Sequence, residues 1–157
     1  MMTSRQIALV KQSFRSIEPV IDDAAILFYE RLFEIDRSVP RLFHKSPREE
    51  ARLLAETFPR IVDAIDHPAQ LRVAAEVLGP RCAGCGVRDQ HYEAVGQALL
   101  WTLANGLNDA FTSEVRNAWI AAYGRLAFTV QRAAARCRVD VHVKGSAQRA
   151  HEVDARC

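Results

Sequence analysis

Between Asp89 and Leu103 the apolar residues Tyr92, Val95, Leu99, Leu100 and Leu103 recur three and four positions apart. Between Thr112 and Val130 the series Val115, Ala118, Trp119, Ala122, Tyr123, Leu126 and Val130 keeps the same interval. That spacing gathers side chains on one face of a 3.6-residue helix and cannot serve a strand, whose faces alternate every residue. The period recurs upstream in Ile7, Val10, Phe14 and Ile17, in Ile26, Tyr29 and Phe33 with Leu32 beside them, and in Leu53, Leu54, Phe58, Ile61 and Val62. No alternating β-branched run is long enough for a strand. The chain is therefore expected to be all-α, and 157 residues suffice for one core and are too few for two ordinary domains.

Local signals divide the pattern into about seven helices. Thr3 or Ser4 can cap a first helix through about Ile17, Pro19 suits the start of a second ending at Asp36, and Ser46 with Pro47 can open a third running to Ile65. "RSVPRLF" reads as a short helical turn. A further helix from Pro68 meets Gly79 and Pro80, a pair expected to fray or bend it just before Cys82. Asp89 suits the cap of the next helix, and Thr112 that of the last, which is expected to stop near Cys137. The expected organisation is a domain over residues 1–138 and a polar, mobile tail over 139–157.

The formal net charge of +2 is too small to argue for nucleic-acid binding. Neither the N-terminus, with Arg5 and Lys11, nor any later stretch is apolar for long enough to be a signal or a membrane span, so a cytoplasmic protein without a membrane partner is expected. Four cysteines, Cys82, Cys85, Cys137 and Cys157, are too few and too unevenly placed for a disulfide framework. No paired carboxylates, nucleophile triad or phosphate loop stands out, and a non-enzymatic protein is expected.

The segments "FYERLF", "VPRLF", "GVRDQHYEAVGQALLWTL", "DAFTSEV" and "AWIAAYGRLA" resemble the bacterial single-domain globins and the globin domain of flavohaemoglobins. The resemblance covers roughly residues 4–135 and is most specific from Gly86 to Ala127. It implies a globin fold and a tetrapyrrole partner. It makes Tyr29 the distal tyrosine that steadies a bound diatomic ligand, Phe43 the ring packed on the tetrapyrrole, and Leu54 a cofactor-facing apolar residue. Tyr92 belongs to the same candidate set. Glu50 falls where the family has a distal glutamine; a carboxylate there donates a hydrogen bond only when protonated. As plain globular residues, Tyr29 and Phe43 are core aromatics and Glu50 a solvated residue of a helix start.

The departure is on the proximal side. The family has a leucine-glycine pair, then arginine and histidine, then a link to "GV" and "HY". This chain has "LGPRCAGCGV" and "HY", which puts Cys82 in the iron-ligand slot. His91 belongs to the family's "HY" and is expected to cap or pack at the next helix. A proximal tyrosine is replaced by Cys85, and the relay glutamate of the last helix by alanine in "QRAAAR". With 157 residues and no reductase domain in them, a self-sufficient nitric-oxide dioxygenase is not expected.

Cys82 and Cys85 form C-x-x-C, open to four chemistries. Zinc needs two more ligands and has only His91 near in sequence, and a thioredoxin-like dithiol needs a strand before it. An axial thiolate from Cys82 on haem b, helped by Arg81 or Arg88, is the third. The fourth is a linear tetrapyrrole, or bilin. Its pyrrole N–H groups need a carboxylate, its propionates a guanidinium, and its electrophilic substituent a thiol, which Asp89, Arg88 and Cys85 supply within "CGVRD". Phycobiliproteins have a similar run, one residue shorter, and bilin biosynthesis-associated globins resemble the whole. As plain structure, Asp89 is a cap, Arg88 is solvated and the thiols are inert.

A globin without its tetrapyrrole leaves a costly cavity, and Ala55, Ala74, Ala75, Ala94 and Gly96 do not plug one. The favoured expectation is a bilin carrier, chaperone or chromophore protein, with bilin-synthesising enzymes as partners and a homodimer compatible with the last two helices. The alternatives are a haem globin with Cys82 as metal ligand, sensing gas or redox state, and a cofactor-free interaction module.

Overall fold

The computed structural model describes the backbone of residues 2–43, 45–84 and 87–154, and their side chains except those of 77–84 and 137–154. Among the described residues there are six α-helices, four short 3-10 turns and no strand: α1 (Ser4–Ile17), α2 (Ile21–Ile35), α3 (Pro47–Asp63), α4 (Pro68–Gly84), α5 (Asp89–Leu107) and α6 (Ser113–Asp154). No helix among these residues is long and apolar enough to cross a membrane.

Helix starts follow from local chemistry. The Thr3 hydroxyl accepts the Gln6 N–H at 3.1 Å while the Gln6 side chain accepts the Thr3 N–H at 2.9 Å. Ser46 and Glu49 repeat this reciprocal arrangement before α3, with Pro47 at its first position. Each pair satisfies two N–H groups that a helix start would otherwise leave open. Asn108 ends α5 with φ at 50°, a left-handed conformation that asparagine tolerates better than most residues.

Three boundaries depart from expectation. α4 passes through Gly79 and Pro80 without interruption, and α6 passes Cys137 to Asp154. α4 and α6 are packed together, and such contacts outweigh a local breaker in setting where a helix ends. Ala133, Ala134 and Ala135 lead α6 onward, and no proline follows to stop it. α5 is capped at Arg88 rather than Asp89, which becomes its first residue. Ile26, expected on the apolar stripe of α2, faces outward at 40% exposure.

The core has two parts. Val10, Phe14 and Ile17 of α1 meet Val62 of α3, Leu103 and Leu107 of α5, and Trp119 and Ala122 of α6. Phe28, Tyr29 and Leu32 of α2 meet Ala51 and Ala55 of α3 and Ala94 and Ala98 of α5. The alanines let the three helices approach closely around the α2 aromatics. Gly96 does the same between α5 and α6, where an added Cβ would lie 2.7 Å from Tyr123 Cε1.

Candidate functional site

α2 delivers Tyr29 to the second core cluster, where its ring meets Phe28 edge-on at 5.2 Å and Phe43 perpendicularly at 5.6 Å. Phe33 completes the group, 5.9 Å from Tyr29 and 6.2 Å from Phe43. Phe43 arrives on the Val39–Leu42 turn, anchored by buried Val39. Leu54, on α3, packs on the same cluster. Burial, seconded by the nearby Glu50 carboxylate, raises the Tyr29 phenol far above the tyrosine range and keeps it protonated. Its hydroxyl makes no hydrogen bond among the described residues. A buried phenol with an unused proton can donate to a ligand placed beside it.

Next to this cluster lies a cavity of about 170 Å³, reached by Leu54 and Phe58 of α3, Val95 and Leu99 of α5, and Trp119 and Tyr123 of α6. Its walls are almost wholly apolar. Thr102 turns its hydroxyl away to the Ala98 carbonyl at 2.8 Å. Such a space stays dry and accepts apolar guests. The floor is stiffened by Phe58 stacked on Trp119, with centroids 6.1 Å apart, while the Trp119 indole N–H donates to Ser13 Oγ at 2.9 Å. The chamber shares Phe28, Leu54, Val95 and Leu99 with the cluster around Tyr29, and Tyr29 itself is not among its lining residues.

Among the expected site residues, Tyr29, Phe43, Leu54 and Glu50 are therefore brought together. Tyr92 is half-buried and its carbonyl accepts the Tyr123 hydroxyl, which ties α5 to α6. Arg88 and Asp89 are exposed and line no part of the cavity; Asp89 Oδ1 accepts from Gln131 Nε2 at 3.4 Å. Cys85 and the Cys82 side chain lie outside the described residues. Among the described residues no cluster of three metal-ligating side chains occurs.

His91 was expected at the helix start and is found there, 5% exposed, with Nδ1 accepting the Arg88 N–H at 2.8 Å. Its bond to Ser38 across the fold, 3.1 Å from Nε2 to Oγ, has no sequence signature.

The family profile described as "Globin" matches residues 26–130. An anaerobic nitrite reductase of Arabidopsis thaliana is 30% identical over 82% of this chain and 91% of its own length. Flavohemoproteins of Deinococcus radiodurans and Vibrio cholerae are 32% and 30% identical over 81% of this chain. The chain spans about a third of the length of these flavohemoproteins. A crystal structure of a hexacoordinated heme protein from an anhydrobiotic tardigrade superposes with a TM-score of 0.73 over 85% of this chain and 95% of that one, at 16% identity, which supports the fold alone.

Two expectations are corrected by these matches. Bilin as the favoured cofactor is overturned, since the bacterial relatives are flavohemoproteins, named for heme. The structure agrees as far as it describes "CGVRD": Arg88 and Asp89 are exposed. The expectation of a non-enzymatic protein is overturned as well, because the relatives are flavohemoproteins and a reductase, and with it falls the exclusion drawn from chain length.

Proposed function

The chain belongs to the globin family, and from that premise we propose that it binds haem b beside Tyr29, with Cys82 in place of a proximal histidine, and reacts there with small oxygen or nitrogen-oxide ligands. The observation that carries this reading is Tyr29 itself, packed with Phe28, Phe33, Phe43 and Leu54 in one aromatic and apolar cluster, where burial keeps its phenol protonated. Haem would supply an iron centre able to bind such ligands. Tyr29 donates a hydrogen bond to the bound ligand. Phe43 and Leu54 exclude water, which strengthens that bond. Glu50, a carboxylate where the family has an amide, contributes by favouring the protonated phenol.

Cys82 is assigned from its place in "LGPRCAGCGV", and cysteine thiolate is an established axial ligand of haem iron in other folds. The name of the plant relative directs the choice of nitrite as a first substrate to try.

Hemin titration into the apoprotein tests the reading. The expected result is a saturable Soret band that changes form in Cys82→Ala and is retained in Cys85→Ala. In Tyr29→Phe, release of a bound diatomic should be about tenfold faster, the worth of one hydrogen bond in a dry site. If the unaltered protein develops no Soret band, the haem assignment is wrong. An unchanged band in Cys82→Ala would remove the axial assignment alone.

A further inference from the structure

Phe43 reaches Tyr29 on a turn held together weakly. Val39 N–H donates to Asp36 O at 3.2 Å, Arg41 N–H to Ser38 O at 3.3 Å, and Phe43 N–H to Pro40 O at 3.4 Å. All three bonds lie at or beyond the long end of the N–H···O range. A shorter set of bonds crosses from this turn to the start of α5 through His91. Because Nδ1 accepts the Arg88 N–H, the neutral ring carries its proton on Nε2, which donates to Ser38 Oγ. Ser38 Oγ in turn donates to Asp36 Oδ1 at 2.6 Å, and the Ser38 N–H donates to the same oxygen at 2.9 Å. Donors and acceptors thus run in one direction from Arg88 to Asp36 with none opposed.

We propose that His91 is a positioning residue, a two-ended clasp in its neutral form that ties the start of α5 to the 36–43 turn and so fixes where Phe43 stands against Tyr29. Three features support it. The ring is 95% buried, so water cannot replace either bond without opening the fold. The two ends serve separate elements, one the N-cap of α5 and the other the C-cap of α2 at Asp36. Protonation at Nδ1 would set an N–H against the Arg88 N–H, which opens the α5 end. Asp36, whose Oδ2 lies 3.9 Å from Nε2, is a charged group facing the ring.

The proposal rests on the haem reading only in its last readout. Hydrogen exchange on the full chain gives the first. In Ser38→Ala the α5 end is untouched, and the amides of Val39, Arg41 and Phe43 should exchange about fivefold faster while that of Arg88 keeps its protection, the expected cost of one lost link. His91→Leu should release both ends. His91→Gln should restore both, since its Oε1 can accept from Arg88 and its Nε2 donate to Ser38.

Hemin affinity should follow the turn and not global stability, falling about fivefold in Ser38→Ala and returning in His91→Gln. Unaltered exchange over residues 39–43 in both Ser38→Ala and His91→Leu would overturn the clasp. If the unaltered protein takes up no hemin, the haem reading fails and the exchange data alone decide this one.

Discussion

Replacing glycine by alanine within a helix ordinarily stabilises it by about 0.5–1 kcal/mol, because the unfolded chain loses freedom and the helix gains a good former. Gly96 should reverse that sign. A Cβ built there lies 2.7 Å from Tyr123 Cε1 and 3.1 Å from Cδ1, both well inside ordinary contact. A free aromatic ring could swing aside, but the Tyr123 hydroxyl is bound to the Tyr92 carbonyl on the same helix as Gly96. Relief therefore requires α5 and α6 to separate or that hydrogen bond to break. Overpacking of this kind costs about 1–3 kcal/mol, so Gly96→Ala should destabilise by a net ~0.5–2 kcal/mol.

The molecule supplies its own control in Gly124 of α6, where an added Cβ meets nothing within 4 Å, so that Gly124→Ala should stabilise by about 0.5–1 kcal/mol. Urea denaturation of both variants gives the comparison. Tyr123→Phe, which frees the ring, should recover part of the loss in a double-mutant cycle with Gly96→Ala. If Gly96→Ala were as stabilising as Gly124→Ala, the contact between α5 and α6 would not be as close as described.

Ser13→Ala leaves the buried Trp119 indole N–H without its acceptor and should cost about 1–3 kcal/mol in denaturant midpoint analysis, with a shift in tryptophan emission. Phe58→Ala removes the ring lying between Phe14 and Trp119 and should cost about 3–5 kcal/mol by the same assay. Asp66 is held below the ordinary carboxylate range, first by its hydrogen bond from Lys11. Its folded-state pKa is depressed, so the stability it contributes, under ~1 kcal/mol, is present above about pH 4 and lost as pH falls through that region. Lys11→Met should flatten this part of the stability profile in acid titrations of unfolding.

Where structure obeyed local chemistry, the sequence could be read closely. Ser46 marks its helix start to the residue, and Thr3, the first of two caps weighed, marks the other, because a cap acts over three or four positions. Signals that packing can outvote were misleading, as at Gly79 and Pro80, which lie within a continuous α4, and at Ile26, which has the right period on the wrong face. Family resemblance singled out Tyr29, Phe43 and Leu54 one by one, and the fold packs their side chains into one cluster. Within "CGVRD", Arg88 and Asp89 are described, and both are exposed. Neighbours in sequence at a helix start fan out in direction, so Arg88 and Asp89 point to solvent. The link between His91 and Ser38 joins residues 53 positions apart, and no periodicity or cap rule could announce it.

The cavity lined by Leu54, Phe58 and Trp119 also bears on volume. Unfolding collapses internal voids, and about 170 Å³ per molecule corresponds to about 100 mL per mole of empty space, comparable to the whole volume change of unfolding for an ordinary domain. The cavity thus makes the fold sensitive to hydrostatic pressure. A guest that occupies the chamber removes that compliance, so compressibility distinguishes the filled from the vacant molecule even where the guest has no colour.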